Sequence, residues 1–111
     1  LSQRGGSPLQ QLQNLMVAES ILNRVIANTS KSDKFYLYYL STRGVIYLQM
    51  GRIKEARRDL ELSATRSSAT NDILLQKHLV CMYERLGDKE NTAKHKRLVD
   101  EINRRNSHIE N

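Results

Sequence analysis

Tyr47-Leu48-Gln49-Met50-Gly51-Arg52-Ile53-Lys54-Glu55-Ala56 and Tyr83-Glu84-Arg85-Leu86-Gly87-Asp88-Lys89-Glu90 are two versions of one phrase. In each, a tyrosine precedes a glycine by one helical turn, and a charged helix opening follows. Ala93 arrives one residue later than Ala56 would predict. The tyrosines lie about 36 residues apart, and so do the glycines. A period of that size marks helical hairpins that bury their apolar faces only by stacking on their neighbours.

Outward from the two glycines, the chain divides into helices. One starts after Ser32 or Asp33 and runs to about Met50, where Gly51 stops it by taking a left-handed conformation that residues with a Cβ avoid. The next runs from about Ile53 to Thr65 with Ala56, Leu60 and Ala64 inward, and Ser67 to Thr70 forms a loop. A further helix runs from about Asn71 to Leu86, burying Leu75, Leu79, Met82, Tyr83 and Leu86, and Gly87 closes it. Asp88 caps the last, from about Lys89 to Arg105, with Ala93, Leu98, Val99 and Ile102 inward. Upstream, Ser7-Pro8 is a capped helix start, and Leu12, Leu15, Ala18, Leu22, Val25 and Ile26 recur as one apolar stripe until polar turn chemistry intervenes after Asn28. The reading is all-α, with about five helices in a right-handed stack of antiparallel hairpins. Residues 1–7 are expected as a flexible lead-in, 8–105 as a single helical-repeat domain, and 106–111 as a frayed tail.

Composition bounds the function classes. The length suits one small domain with a core. No apolar stretch approaches the roughly 18 residues that a membrane span requires, and no signal-peptide pattern opens the chain. Leu1 in first place leads us to expect a piece of something longer. Cys81 is the single cysteine, so no internal disulfide can form; this is compatible with a reducing compartment such as the cytoplasm. The net charge of +6 favours acidic partners, although the basic residues are scattered among acids through both halves.

The spacing of Gly44, Tyr47, Gly51, Ala56 and Leu60 resembles the tetratricopeptide repeat (TPR) family, as do Tyr83, Gly87 and the displaced Ala93. The resemblance spans roughly residues 9 to 105, about two and a half units. The family tryptophan and the proline that ends each unit are missing, and Val80 holds the small-residue position of the second repeat. The likeness implies that Gly44 lets two helices approach closely, that Tyr47 fills the gap between units, and that Ala56 keeps the hairpin tight. It also implies a concave groove lined by Tyr38, Ser41, Thr42, Val45 and Gln49 on the second helix. On the fourth, it implies Leu74, Lys77, His78, Cys81 and Arg85. Lys77, His78 and Arg85 would form a cationic wall for an acidic peptide; the plainer reading is a solvated helix face. The family's clamp for chaperone C-terminal carboxylates needs asparagine where Val45 and Cys81 stand, which argues against that activity.

Other constellations are weaker. His78 and Cys81 share a face one turn apart, but a cysteine dyad needs an orienting third group and zinc needs four ligands. Phe35, Tyr36, Tyr38 and Tyr39 could stack bases or line a peptide pocket; a division between core and junction is the plainer account. Arg52, Lys54, Arg57 and Arg58 form the densest basic run, interrupted by Glu55, Asp59 and Glu61, which would repel phosphate. The expectation is a non-enzymatic module with no cofactor and no metal, binding a protein or peptide in its groove as part of a larger protein. The alternative is a structural, self-association or docking segment of a regulator or sensor, assembling through the first helix at Leu12 and Leu15. Nucleic-acid binding ranks third.

Overall fold

Ser7 opens the first helix: its hydroxyl accepts the Gln10 N–H at 3.1 Å, and Pro8 occupies the first turn, where no N–H is needed. The computed structural model describes residues 6–110, with side chains through Ser107. Most of the lead-in expected over 1–7 therefore lies outside the described residues. The helices are α1 (Pro8–Ala27), α2 (Tyr36–Gln49), α3 (Ile53–Ser63), α4 (Ile73–Leu86) and α5 (Lys89–Glu110), with one 3-10 turn at Ala69–Asn71. Among the described residues there is no strand, so the fold is all-α.

Several boundaries move, each for a local reason. α2 begins at Tyr36 because the Asp33 carboxylate accepts the Phe35 N–H at 2.8 Å and holds the preceding residues in turns. α4 begins at Ile73, since Asp72 is its cap and accepts the Leu75 N–H at 3.1 Å. Gly51 and Gly87 take φ of 80° and 74°, the left-handed region in which a helix ends. Over the tail expected at 106–111, α5 continues to Glu110, and residue 111 lies outside the described residues.

Each helix packs chiefly on its chain neighbours. The most extensive contacts join α2 to α3 and α4 to α5; α1 lies on α2, α3 on α4, and α2 also touches α4. The central cluster comprises Tyr47, Leu48, Ala56, Leu60, Ala69, Leu75, Leu79, Met82 and Tyr83. The α2–α3 pair is tight: a Cβ on Gly44 would stand 2.8 Å from Leu60 Cγ. In the α4–α5 pair Val80 occupies the corresponding place and, with Val99, lines a depression of about 330 Å³. Ala93 is exposed, contrary to expectation. One residue of displacement turns a helical side chain by about 100°, so Thr92 takes the half-buried position instead. Leu86 also lies outside the core, at 37% exposure.

Polar residues that sequence periodicity left outside are buried inside. Asp59, Ser63, Gln76 and His95 all lie in the interior, and each has a partner. Arg43 grips Asp59 through Nε at 2.7 Å and Nη2 at 3.0 Å, while its Nη1 donates to Asn23 Oδ1 at 2.9 Å. One guanidinium thereby joins α1, α2 and α3. Gln76 donates to the Ala69 carbonyl at 2.9 Å, so its amide oxygen faces His95 and accepts from Nδ1 at 2.6 Å. That pair places a proton on Nδ1 of His95, whose ring stacks on Tyr83 at 5.4 Å.

Candidate peptide-binding face

α2 touches α4, and Val45 on the one and Cys81 on the other, both half-buried, pack onto the central cluster. The candidate groove residues divide by exposure. Ser41, Val45, His78 and Cys81 are half-buried, and Tyr38, Thr42, Gln49, Leu74, Lys77 and Arg85 are exposed. Leu74 is 65% exposed and Tyr38 45%, so apolar surface is available on both helices. The Thr42 hydroxyl is turned back onto the Tyr38 carbonyl at 3.1 Å, a bond within its own helix.

The cationic residues are not equivalent. Arg85 Nη1 donates to the Leu48 carbonyl at 2.7 Å, capping the C-terminal end of α2 with a charge that its dipole favours. It holds α4 against α2 and is partly spent on structure. Lys77 stands on the flank toward α5, where it and Lys96 border the depression beside Asp100. Across the basic run of α3, Arg52 pairs with Glu55 at 2.6 Å and Glu19 at 3.2 Å, Arg57 with Glu61 at 3.2 Å, and Arg58 with Asp59 at 3.6 Å. The acids that interrupt the run in sequence therefore neutralise it in space. Among the described residues, no three His, Cys, Asp or Glu side chains gather into a group that could hold a metal ion.

The aromatic cluster spreads over two surroundings. Phe35 touches Tyr38 at 6.5 Å and Tyr39 at 6.4 Å between ring centres, while Tyr38 also lies beneath the Arg66 guanidinium at 4.3 Å. Arg66 sits in the α3–α4 loop and gives no periodic signal, so sequence reasoning passed over it. Tyr83, read only as core, donates its hydroxyl to Glu61 at 2.6 Å; burial and that carboxylate raise its pKa.

Among the described residues no helix is long and apolar enough to cross a membrane. No family model, no curated protein and no solved structure matches this chain.

Proposed function

We propose that the chain is a non-enzymatic protein-interaction module, with helices stacked as in a TPR-like solenoid and with a peptide or partner helix received across the α2/α4 face. The observation that carries this reading is the α2–α4 contact itself. Tyr38 and Leu74 stay exposed on these two helices, while Val45 and Cys81 pack onto the central cluster. Hairpin pairs in chain order, joined mainly to their neighbours, support a layered array. So does a radius of gyration of 15.6 Å, against about 13 Å for a compact globule of this length. The bound segment would use its apolar side chains against Tyr38, Val45 and Leu74, with Ser41, Thr42 and Gln49 setting its register. The net positive charge favours an acidic segment. The paired state of the α3 arginines speaks against a nucleic-acid partner.

Selection of random short peptides displayed against the immobilised protein tests this. Enriched peptides should pair acidic with apolar residues and bind with Kd of about 1–100 µM. Leu74→Asp and Gln49→Glu, both at exposed positions of the face, should each weaken them by about tenfold with helicity intact. Arg85 is left unaltered because its bond to Leu48 would confound the result. Selected peptides indifferent to both substitutions would end the proposal.

A second reading rests on α1. That helix buries no residue fully, and Leu9, Leu12, Met16, Val17 and Ile21 are 42% to 65% exposed on both of its flanks. A helix apolar on nearly every side ordinarily lies inside a larger assembly. Its only charged side chains are Glu19 and Arg24, so two copies could meet there without bringing their net positive charges together. Sedimentation should show concentration-dependent dimers that Leu12→Glu with Met16→Glu abolishes; a monomer at all concentrations excludes this reading.

A further inference from the structure

Two loops that sequence reading treats as connectors meet over one cavity. The loop after α1 contributes Lys31 and Lys34, the loop after α3 contributes Arg66 and Ser68, and the start of α2 contributes Phe35 and Tyr38; the open cavity they line has a volume of about 780 Å³. That size lies within the range of pockets that hold small organic ligands. Of the charged residues on the cavity, Lys31, Lys34 and Arg66 are cations and only Asp33 is an anion, and one Asp33 oxygen is already engaged by the Phe35 N–H. Among the described residues, neither lysine has a carboxylate within ion-pair distance.

Arg66 is the unusual member. Its side chain is only 8% exposed, and Nη2 is paired with Asp72. Its Nε and Nη1 are fully buried with no acceptor. Buried donors ordinarily have an acceptor, so these two mark where one can bind. The Tyr38 ring covers the guanidinium at 4.3 Å, yet Tyr38 is itself 45% exposed. Turning Tyr38 aside, which breaks its 3.5 Å contact with Ser68 Oγ, would open Arg66 to the cavity.

We propose that this cavity binds a phosphate monoester carried on a flat, apolar group. The phosphate would accept from Arg66 Nε and Nη1 and pair with Lys31 and Lys34, while the attached group lies against Phe35. A dianion with several acceptors suits three cations and the flanking hydroxyls better than a singly charged carboxylate does. The site shares only Tyr38 with the peptide-binding face, and its test does not depend on that reading. An aryl phosphate in solution and a phosphotyrosine side chain offer the same chemistry, and separate arms of one experiment distinguish them.

Phenyl phosphate is titrated into the ¹⁵N-labelled full chain, with the Arg66 Nε–Hε signal and the Lys34, Ser67 and Ser68 amides observed by NMR. Saturable shifts at those positions are expected, with Kd of about 0.1–1 mM. Benzoate and inorganic phosphate should each bind at least about tenfold more weakly, since one lacks the dianion and the other the ring. Lys31→Ala with Lys34→Ala, both at exposed positions, should weaken phenyl phosphate by about tenfold without altering the fold. Arg66→Lys should abolish saturation; if that variant unfolds, the lysine pair decides. A short phosphotyrosine peptide binding more tightly than phenyl phosphate identifies a peptide source, and equal affinity identifies a small ester. No saturable shift, equal affinity for benzoate, or indifference to the lysine pair would overturn the proposal.

Discussion

Gly44 and Leu60 set the closeness of the first hairpin. A methyl group at Gly44 would meet Leu60 Cγ at 2.8 Å and Asp59 Cβ at 3.2 Å, and both neighbours are buried. Overpacking of this kind costs roughly 1–3 kcal/mol, against a gain of about 1 kcal/mol from replacing a helical glycine with alanine. The clash should win because Leu60, at 0% exposure, has nowhere to go. Gly44→Ala should therefore lower the urea midpoint, whereas an unchanged midpoint would show that the helices can separate at little cost. His95 gives a second prediction. Burial, and then Lys94, depress its pKa below the ordinary histidine value, so the native state favours the neutral ring. The unfolded chain then takes up the proton first as acid is added. This contribution to stability is complete above the unfolded pKa of about 6.5, and is lost as pH falls from there through the lower native value. Urea midpoints at pH 7.5 and 5.5 should show the loss, and His95→Gln should flatten it. The role of Gly44 was legible only through the resemblance to the TPR family, which implies a small residue where two helices approach closely. His95 was not legible, because a histidine among lysines on a polar helix gives no sign that Gln76 stands opposite.

Periodicity exposed the helices themselves, since an apolar stripe and a left-handed glycine are properties of one element. What joins one element to the next was hidden. Asp59 reads as a solvated acid in a basic run, yet its partner Arg43 lies on the preceding helix, and neither residue betrays the other. Removing one partner of a buried ion pair leaves an uncompensated charge and costs roughly 3–5 kcal/mol. Arg43→Ala should approach that figure in denaturant unfolding, because Asp59 is wholly buried and Asn23 also loses its donor. Asp59→Leu combined with Arg43→Leu should recover much of the loss. If the double variant is no better than Arg43→Ala, the charge on Asp59 is not what the arginine offsets. The residues named for the candidate face lie on α2 and α4, but Arg85's commitment to the Leu48 carbonyl could not be read in advance. A backbone acceptor on another helix has no sequence signature.

Across the molecule, stability is unevenly shared. The core runs from α2 through α4, with α5 contributing Ile102 and His95, while α1 has no fully buried residue. Local opening follows buried contacts, so amide hydrogens of α1 should exchange well before those of α2 and α4 in the isolated chain. Protection of α1 equal to that of α4, rising with protein concentration, would instead show that its apolar flanks have met another copy. The order of helices was legible from one repeated phrase, but the meeting of two loops over Arg66 depends on how successive hairpins are offset, which periodicity does not record. Tyr38, lying beneath that arginine, has a practical consequence. The chain contains no tryptophan, and its aromatic emission therefore comes from five tyrosines. Four of these are wholly or partly shielded, leaving Tyr38 as the most accessible fluorophore. The protein thus carries an intrinsic optical probe at the mouth of the cavity, whose quenching by iodide can be followed without attaching a label.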